Sequence, residues 1–240
     1  MRVITWNCKQ GFRKKYSDIE FFNPDILVIP ECESLDKIDF KLFKNPPTDS
    51  YWIGENQNKG LGVFTFNNFK ISLYKNYNED FKYILPLIVS NNTETYNLIG
   101  VWTQKIGPKK KNHINYIRQF KLSMEVYKSF LNSKNVIICG DFNSNLIWEN
   151  PFRIDKVHKE VVDDLKEMKI FSSYHDFFNE EQGKESIPTY YHTHNKEKPF
   201  HIDYCFLSKN LLDKVVKVTI GEYDNYIDKS DHVPIYITIN

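Results

Sequence analysis

Residues 137–145 read Ile-Ile-Cys-Gly-Asp-Phe-Asn-Ser-Asn, an apolar strand that ends in alternating polar residues. Side chains two apart on an extended chain point to the same face, so we expect Asp141 and Asn143 to enter one cleft. There a carboxylate can position a water molecule, and an amide can donate to a phosphoryl oxygen. The alternative is an Asx turn that caps the strand. This stretch alone does not separate the two interpretations.

Buried strands of the same kind recur along the chain. Residues 26–29 form a continuous apolar run, as expected of a strand covered on both faces. Runs rich in β-branched and aromatic residues predict further strands at residues 2–6, 62–66, 84–89, 96–102, 136–139, 201–207, 215–220 and 233–239. Amphipathic spacing predicts helices at residues 16–22, 114–131 and 157–168. Strands in runs with few helices favour an α/β sandwich of two sheets with helices outside.

The composition is that of a folded protein with little net charge. The 240 residues are 41% hydrophobic and 15% aromatic, which argues against disorder. The length and the lack of a linker indicate one domain over residues 1–240. Because 32 basic side chains balance 31 acidic ones, to give a net charge of +1, any site for a polyanion must be local.

No segment of the sequence has the features of a secretory signal or of a membrane-spanning helix. Residues 1–4 are too few for a secretory signal before residues 5–7, and the longest apolar runs fall far below the roughly 20 residues that span a bilayer. We therefore expect a cytoplasmic monomer with reduced, structural cysteines. These are Cys8, Cys32, Cys139 and Cys205.

A second polar cluster, Asp231-His232, stands directly before the last predicted strand. Neighbours on an extended chain point opposite ways, so His232 needs a carboxylate other than Asp231 to orient it. Asp203 is a candidate, because it is an acid inside an otherwise apolar strand, where an unpaired charge is costly. Asp231 is then free to face a metal ion.

Asn7 and Glu31 each follow a buried strand near the N-terminus. Amide and carboxylate oxygens are hard ligands that suit Mg²⁺ or Mn²⁺. Glu33 lies two residues beyond Glu31, and the pattern does not decide between these two glutamates.

The order of these segments resembles that of the endonuclease/exonuclease/phosphatase superfamily. The matching segments are Thr-Trp-Asn (5–7), Pro-Asp-Ile-Leu followed by Glu (24–31), Gly-Asp-Phe-Asn (140–143), Ile-Asp-Tyr (202–204) and Ser-Asp-His (230–232). Each is weak alone, but together they extend over nearly the whole chain. The resemblance implies a four-layer α/β/β/α sandwich of two packed mixed β-sheets with helices outside, and catalysis with Mg²⁺ or Mn²⁺.

The same resemblance implies a metal-binding group. Glu31 matches the principal metal ligand, with Asn7 beside it, and this match favours Glu31 over Glu33. Asp231 matches a residue near the metal. Pro30 replaces the glutamine that usually precedes the ligand glutamate, which would shift its backbone slightly.

It also implies a catalytic group. Asp141 matches the residue that positions or deprotonates the attacking water. Asn143 and His232 match donors to the phosphoryl oxygens, and Asp203 matches the partner that orients His232. Accounts of the family differ on whether the residue at the position of Asp141 or that at the position of His232 is the base.

Two residues are candidates for binding the substrate. Trp102 stands where the family usually has a histidine or tyrosine, and its ring would either stack on a base or sugar or pack in the core. Arg118 fits the family's pattern at the start of the long predicted helix and would bind either a phosphate or a surface acid. The run Lys109-Lys110-Lys111 is either a solvated loop or a phosphate contact.

A zinc site is a weaker alternative. His192, His194 and His201 include a His-x-His pair that can chelate on a strand, but no cysteine completes the set.

We therefore predict a phosphodiesterase that hydrolyses DNA by in-line attack of water. Tyr204 after Asp203 is typical of nuclease-like members and favours DNA. The alternatives are a phosphatase or phosphodiesterase of a small molecule or lipid head group, and a binding protein without catalysis.

Overall fold

The computed structural model describes residues 1–104, 116–149 and 157–240. Strands account for most of the regular structure in these ranges. The strands β1 to β14 are Arg2–Thr5, Ile26–Cys32, Asp49–Asn56, Lys59–Thr65, Lys70–Leu73, Ile84–Ser90, Thr95–Trp102, Val136–Asp141, Ile170–Ser172, Tyr190–Tyr191, Pro199–Phe200, Asp203–Ser208, Val215–Ile220 and Ile235–Ile239.

Helices are fewer and shorter in the described ranges. The α-helices α1 to α7 are Ser17–Glu20, Tyr116–Val126, Lys128–Leu131, Val157–Glu167, Ser173–Phe178, Lys209–Leu212 and Tyr223–Tyr226. Short 3₁₀ segments lie at Phe12–Lys14, Leu35–Lys37, Phe40–Leu42, Leu146–Trp148 and His192–His194.

The strands form two six-stranded sheets and one short hairpin. The first sheet has the order β13-β14-β1-β2-β4-β3, the second has the order β5-β6-β7-β8-β12-β9, and β10 pairs with β11. Each large sheet is mixed, because β1 and β2 run parallel in the first and β7 and β8 run parallel in the second, while the other pairs are antiparallel.

The sheets pack face to face, and α2 and α4 cover the outer face of the second. Along β8, Ile137 and Cys139 join the core between the sheets, whereas Ile138 joins the cluster beneath the helices. The close approach is visible at Gly100 of β7, where an added Cβ would lie 3.4 to 3.5 Å from side chains of β2 and β4. The predicted α/β sandwich is confirmed.

The observed elements depart from the prediction in several places. The helix predicted at residues 114–131 is divided, since Tyr127 leaves helical geometry between α2 and α3. Its ring is fully buried, and its hydroxyl accepts a hydrogen bond from the backbone N–H of Asn78 at 3.0 Å, which anchors the chain there. Residues 114–115 and the lysines 109–111 lie outside the described residues.

Other differences concern strands. β3, β5 and β9 were not predicted, because β3 and β5 carry partly exposed polar residues and β9 has only three residues. The strand predicted at residues 201–207 begins at Asp203, and the one predicted at 233–239 begins at Ile235, after Pro234. His232 therefore lies just outside the last strand, in an isolated bridge to Tyr190.

The four cysteines lie in the core of the protein. Cys8, Cys32, Cys139 and Cys205 are free and buried. None of the helices in the described part of the chain is long and apolar enough to cross a membrane.

Candidate active site

Asp141 lies at the centre of a buried polar cluster at the end of β8. Its Oδ2 atom accepts hydrogen bonds from the amide of Asn7 at 2.9 Å and from that of Asn143 at 3.0 Å. Its Oδ1 atom accepts the backbone N–H of Asn143 at 2.8 Å. Asn143 adopts a left-handed φ of 47°, which turns the chain back onto the carboxylate. The Asx turn and the shared cleft that the sequence suggested as alternatives therefore coexist.

His232 is held by Asp203. Its Nδ1 atom lies 2.8 Å from Oδ2 of Asp203, and its Nε2 atom lies 4.0 Å from Oδ2 of Asp141. Its backbone carbonyl accepts the indole N–H of Trp6 at 2.9 Å, and its backbone N–H bonds the hydroxyl of Ser230 at 3.1 Å. The ring is thus fixed from both the side chain and the backbone.

Asp231 contacts a different partner from His232. Its Oδ2 atom lies 3.2 Å from Nζ of Lys9 at the exposed rim of the site. Asp231 therefore lies at the rim of the site, where its charge still contributes to raising the pKa of His232.

The electrostatics of the cluster raise two pKa values. Burial, followed by the nearby charge of Asp203, raises the pKa of Asp141 to about 7, against opposing effects of His232 and Asn7. Burial disfavours the charged form of His232, but the carboxylates of Asp203 and Asp141 outweigh it and raise the His232 pKa to about 9. A carboxyl group that titrates near neutrality suits a general base, and an imidazolium that persists at neutral pH suits a hydrogen-bond donor.

The structure separates Glu31 from Glu33. Glu31 sits in a β-bulge between Pro30 and Cys32, with a left-handed φ of 60°. The bulge leaves Glu31 unpaired with β4, and its Oε1 atom lies 3.4 Å from the amide of Asn7. Bulges of this kind re-aim side chains next to active sites.

Glu33 instead has a structural position. It is 1% exposed and accepts hydrogen bonds from the backbone N–H groups of Phe12 at 2.6 Å and Arg13 at 3.1 Å, and from the Arg13 guanidinium at 2.8 Å. Its carboxylate is fully engaged by these donors. Glu31 is therefore the glutamate that faces Asn7 and Asp141.

Trp102 lines an open pocket of about 330 Å³ beside Glu31 and Asn143. Its ring is only 3% exposed, with the Tyr83 ring 4.6 Å away and Nζ of Lys59 at 5.0 Å. This position leaves little ring surface for stacking on a base. The stacking contact of Trp102 with the substrate stays a prediction. Arg118 is exposed on α2, and its contact with a phosphate also stays a prediction.

Two neighbours of the cluster were not expected from the sequence. Lys59 lies 3.2 Å from Oε2 of Glu31. The Tyr190 ring lies 4.6 Å from the ring of His232, and burial together with the charge of Asp231 raises the pKa of its hydroxyl. Neither had a sequence signal, because each reaches the site from a hairpin distant along the chain.

The three histidines of the zinc alternative do not come together. His201 is buried and bonds the carbonyl of Ile187, His194 lies at the rim beside Lys9, and His192 bonds the hydroxyl of Tyr190. Within residues 1–104, 116–149 and 157–240, the one group of three or more His, Cys, Asp and Glu ligand atoms within 4.8 Å of one another is Asp141, Asp203 and His232.

The cluster fits a divalent cation. Oδ1 of Asp203 is buried and has no hydrogen-bond partner among the described residues, and the two acids Asp141 and Asp203 share one buried site. Buried carboxylates are stabilised by an added positive charge. His232 occupies the other oxygen of Asp203. The carboxylates of Glu31 and Asp141 both lie against the amide nitrogen of Asn7, and the oxygen of Asn7 accepts the backbone N–H of Lys9 at 3.0 Å.

Comparison with known proteins identifies the class. The model of the endonuclease/exonuclease/phosphatase family matches residues 4–232. The chain therefore belongs to this family, which is one of phosphoric ester hydrolases.

Particular relatives share parts of the sequence. Recombination repair protein 1 of Drosophila melanogaster is 24% identical over 258 residues, which cover 100% of this chain and 37% of that protein. Sphingomyelinase C 1 of Leptospira interrogans is 27% identical over 191 residues, which cover 72% of this chain and 30% of that protein. The chain thus spans roughly a third of the length of these curated relatives.

A solved structure shares the fold. The 3′ phosphatase NExo from Neisseria, bound to a product DNA hairpin, matches with a TM-score of 0.69 at 14% identity, over 100% of this chain and 99% of that one.

Proposed function

We propose that this protein is a Mg²⁺- or Mn²⁺-dependent phosphodiesterase that hydrolyses DNA. The observation that carries the proposal is the position of Asp141, a buried carboxylate with a pKa of about 7, between two amide donors and the His232–Asp203 pair. A base, hydrogen-bond donors and a cation-binding edge are what in-line hydrolysis of a phosphodiester requires.

The metal-binding edge consists of Glu31 and Asn7, with Asp231 near the ion. A divalent ion bound there would supply positive charge to stabilise the negative charge that develops on the phosphoryl oxygens. Lys59 now lies against the outer oxygen of Glu31, and Asn7 lies between Glu31 and Asp141.

The remaining residues move the proton and bind the phosphoryl group. Asp141 orients the attacking water and takes its proton, as its raised pKa suits a base near neutral pH. As the new P–O bond forms, the P–O bond in line with it breaks, and the leaving alkoxide takes a proton from solvent water. Asn143 and protonated His232 donate to the phosphoryl oxygens. Asp203 orients the imidazole and stabilises its charge, because its carboxylate holds Nδ1 and leaves Nε2 toward the cleft.

DNA is the favoured substrate for two reasons. One relative is a recombination repair protein, and a neighbour of the same fold was solved with a product DNA hairpin. The Asp203-Tyr204 pair is also typical of nuclease-like members, although Tyr204 itself is buried, with its hydroxyl bonded to the carbonyls of Ser144 and His201. We also propose that the chain is a single catalytic domain that acts as a cytoplasmic monomer.

A second candidate is hydrolysis of a lipid head-group diester. The sphingomyelinase relative favours it, as does the nearly neutral charge of the chain. A third candidate, a binding protein with an inactive site, predicts no turnover of any ester.

A substrate panel separates these candidates. Supercoiled plasmid, a duplex with an abasic site, RNA and sphingomyelin vesicles would each be incubated with Mg²⁺, Mn²⁺ or a chelator. We expect cleavage of DNA that stops with the chelator. Turnover of sphingomyelin alone would replace the nuclease proposal with the second candidate, and no turnover of any substrate would support the third.

A further inference from the structure

Lys59 is the first residue of β4 and projects into the pocket beside the predicted metal ligand. Its Nζ atom lies 3.2 Å from Oε2 of Glu31 and 5.0 Å from the centre of the Trp102 ring. The pocket it lines also contains Asn143, which belongs to the catalytic cluster. The lysine therefore lines the same pocket as the proposed metal-binding acid and the proposed phosphoryl-binding amide.

The backbone under Lys59 is fixed while its side chain is free to move. The hairpin turn at residues 57–58 is tied to the rest of the chain, because the carbonyl of Gln57 accepts the backbone N–H of Ser34 at 2.8 Å. Gly60 follows in tight packing, where a Cβ would lie 2.4 Å from the carbonyl oxygen of Ile53. The Lys59 side chain is 38% exposed, and a four-carbon stem allows its ammonium to move by several ångströms.

The Lys59 ammonium and a divalent metal ion compete for the carboxylate of Glu31. Its Oε1 atom faces Asn7, and its Oε2 atom is paired with Lys59. A divalent ion on this carboxylate repels the ammonium, because like charges in a partly buried site interact strongly. The ammonium already lies 5.0 Å from the centre of the Trp102 ring while it is paired with Glu31, so the ring still attracts it within the pocket when the pairing is lost.

We propose that Lys59 neutralises Glu31 in the metal-free protein and, once a divalent ion takes over Glu31, binds an oxygen of the substrate phosphate beside Asn143. The second half rests on the proposed phosphodiesterase function, whereas the first half depends only on metal binding. Lys59 is then a substrate-binding residue that also sets the affinity of the metal site.

The two halves predict shifts of opposite sign for Lys59→Met, which keeps the apolar stem and removes the charge. The variant should bind Mn²⁺ about fivefold more tightly in a calorimetric titration without substrate, the effect of removing a competing exposed ion pair. At saturating Mn²⁺, its KM for bis(p-nitrophenyl) phosphate should rise about tenfold, the loss of one charge-assisted hydrogen bond. A lysine that only stabilises the fold would produce neither shift in a protein that remains folded.

Three further variants complete the test. Lys59→Arg keeps the charge and should stay within about twofold of wild type in Mn²⁺ affinity. Lys82→Met is the matched control, since Lys82 is similarly exposed and pairs with Glu55 at 2.5 Å outside the pocket. In a Glu31→Gln background, where the ion pair is already lost, Lys59→Met should change the affinity for Mn²⁺ by less than it does in the wild-type background.

The outcomes separate this proposal from the proposed function. Unchanged or weaker Mn²⁺ binding by Lys59→Met overturns the pairing with Glu31 as a competitor of the metal. An unchanged KM overturns the phosphate contact. A wild-type protein that hydrolyses no diester overturns the proposed function and with it the phosphate contact, while the Mn²⁺ titration still decides the first half.

Discussion

His232 and Asp203 are 29 residues apart in the chain, yet Nδ1 of the one lies 2.8 Å from Oδ2 of the other, and both side chains are buried. This contact places Nε2 of His232 4.0 Å from Asp141. A carboxylate on Nδ1 fixes the orientation of the ring and favours its protonated form. The contact with Asp203 therefore controls both the orientation of the His232 ring and the pH range in which the ring stays protonated.

Asp203→Asn should lower kcat about 10- to 100-fold, because the amide keeps the size of the side chain but removes the charge that stabilises the imidazolium. The His232 pKa, raised to about 9 in the native protein, should fall toward its ordinary value of 6.5. Since a raised pKa means that the charged form is lost only above about 9, the alkaline limb of the pH–rate profile should move to lower pH in the variant.

The control for this substitution is Asp213→Asn. Asp213 is also paired with a cation, Lys209 at 2.7 Å, but it is exposed on the surface. Its profile should match that of wild type. An alkaline limb that stays in place in Asp203→Asn would show that Asp203 does not set the protonation of His232.

Glu31→Gln and Glu33→Gln should produce contrasting defects. Glu31→Gln should lose about tenfold or more in Mn²⁺ affinity, because a charged ligand becomes neutral, with little change in stability. Glu33→Gln should lower the free energy of unfolding by about 1.5 to 3 kcal/mol, since one oxygen becomes an amide group facing donors. Urea unfolding would measure the stability of both variants, and calorimetry would measure their affinity for Mn²⁺. If Glu33→Gln lost Mn²⁺ affinity and Glu31→Gln lost stability, Glu33 would be the ligand.

The buried His158 should make the protein sensitive to acid. Its Nδ1 atom lies 3.0 Å from the hydroxyl of Ser144 and its Nε2 atom 3.2 Å from Oε1 of Gln182, and burial lowers its pKa from 6.5 to about 4. The folded state thus binds this proton less well than the unfolded chain. The resulting loss of stability begins as the pH falls below about 6.5 and is complete below about 4.

At pH 5 this group should cost about 2 kcal/mol of stability relative to pH 8, measured by urea unfolding. In His158→Gln, which has no such titration, the decrease between the two pH values should be smaller by about that amount. An equal decrease in both proteins would assign the acid sensitivity to other groups.

The sequence predicted the part of the site that depends on local pattern. The alternating polar residues at the end of β8 identified Asp141 and Asn143 as a pair, and their side chains are in contact. Because a neighbour on an extended chain cannot orient His232, Asp203 was predicted as its partner, and the two side chains are in contact. The first contact is part of an Asx turn, which links residues two apart, and the second gives a buried carboxylate the partner that it needs. The catalytic roles of these residues stay predictions.

What the sequence did not predict depends on tertiary structure. Glu31 and Glu33 follow the same strand, and only the bulge with its positive φ turns Glu31 into the cleft. Lys59 and Tyr190 reach the site from hairpins whose packing no local pattern encodes. For the same reason, the edge strand β3 (Asp49–Asn56), with its partly exposed side chains, was missed.

The most direct test of the account is the initial rate of nicking of supercoiled plasmid at saturating Mn²⁺ by wild type and by Asp141→Asn. The carboxamide keeps the shape of the buried side chain but cannot accept a proton from water. We expect metal-dependent nicking by wild type and a rate at least about 1,000-fold lower in the variant, with unchanged circular dichroism, as expected when a general base is removed. A variant that nicks DNA as fast as wild type would contradict the assignment of Asp141 as the base.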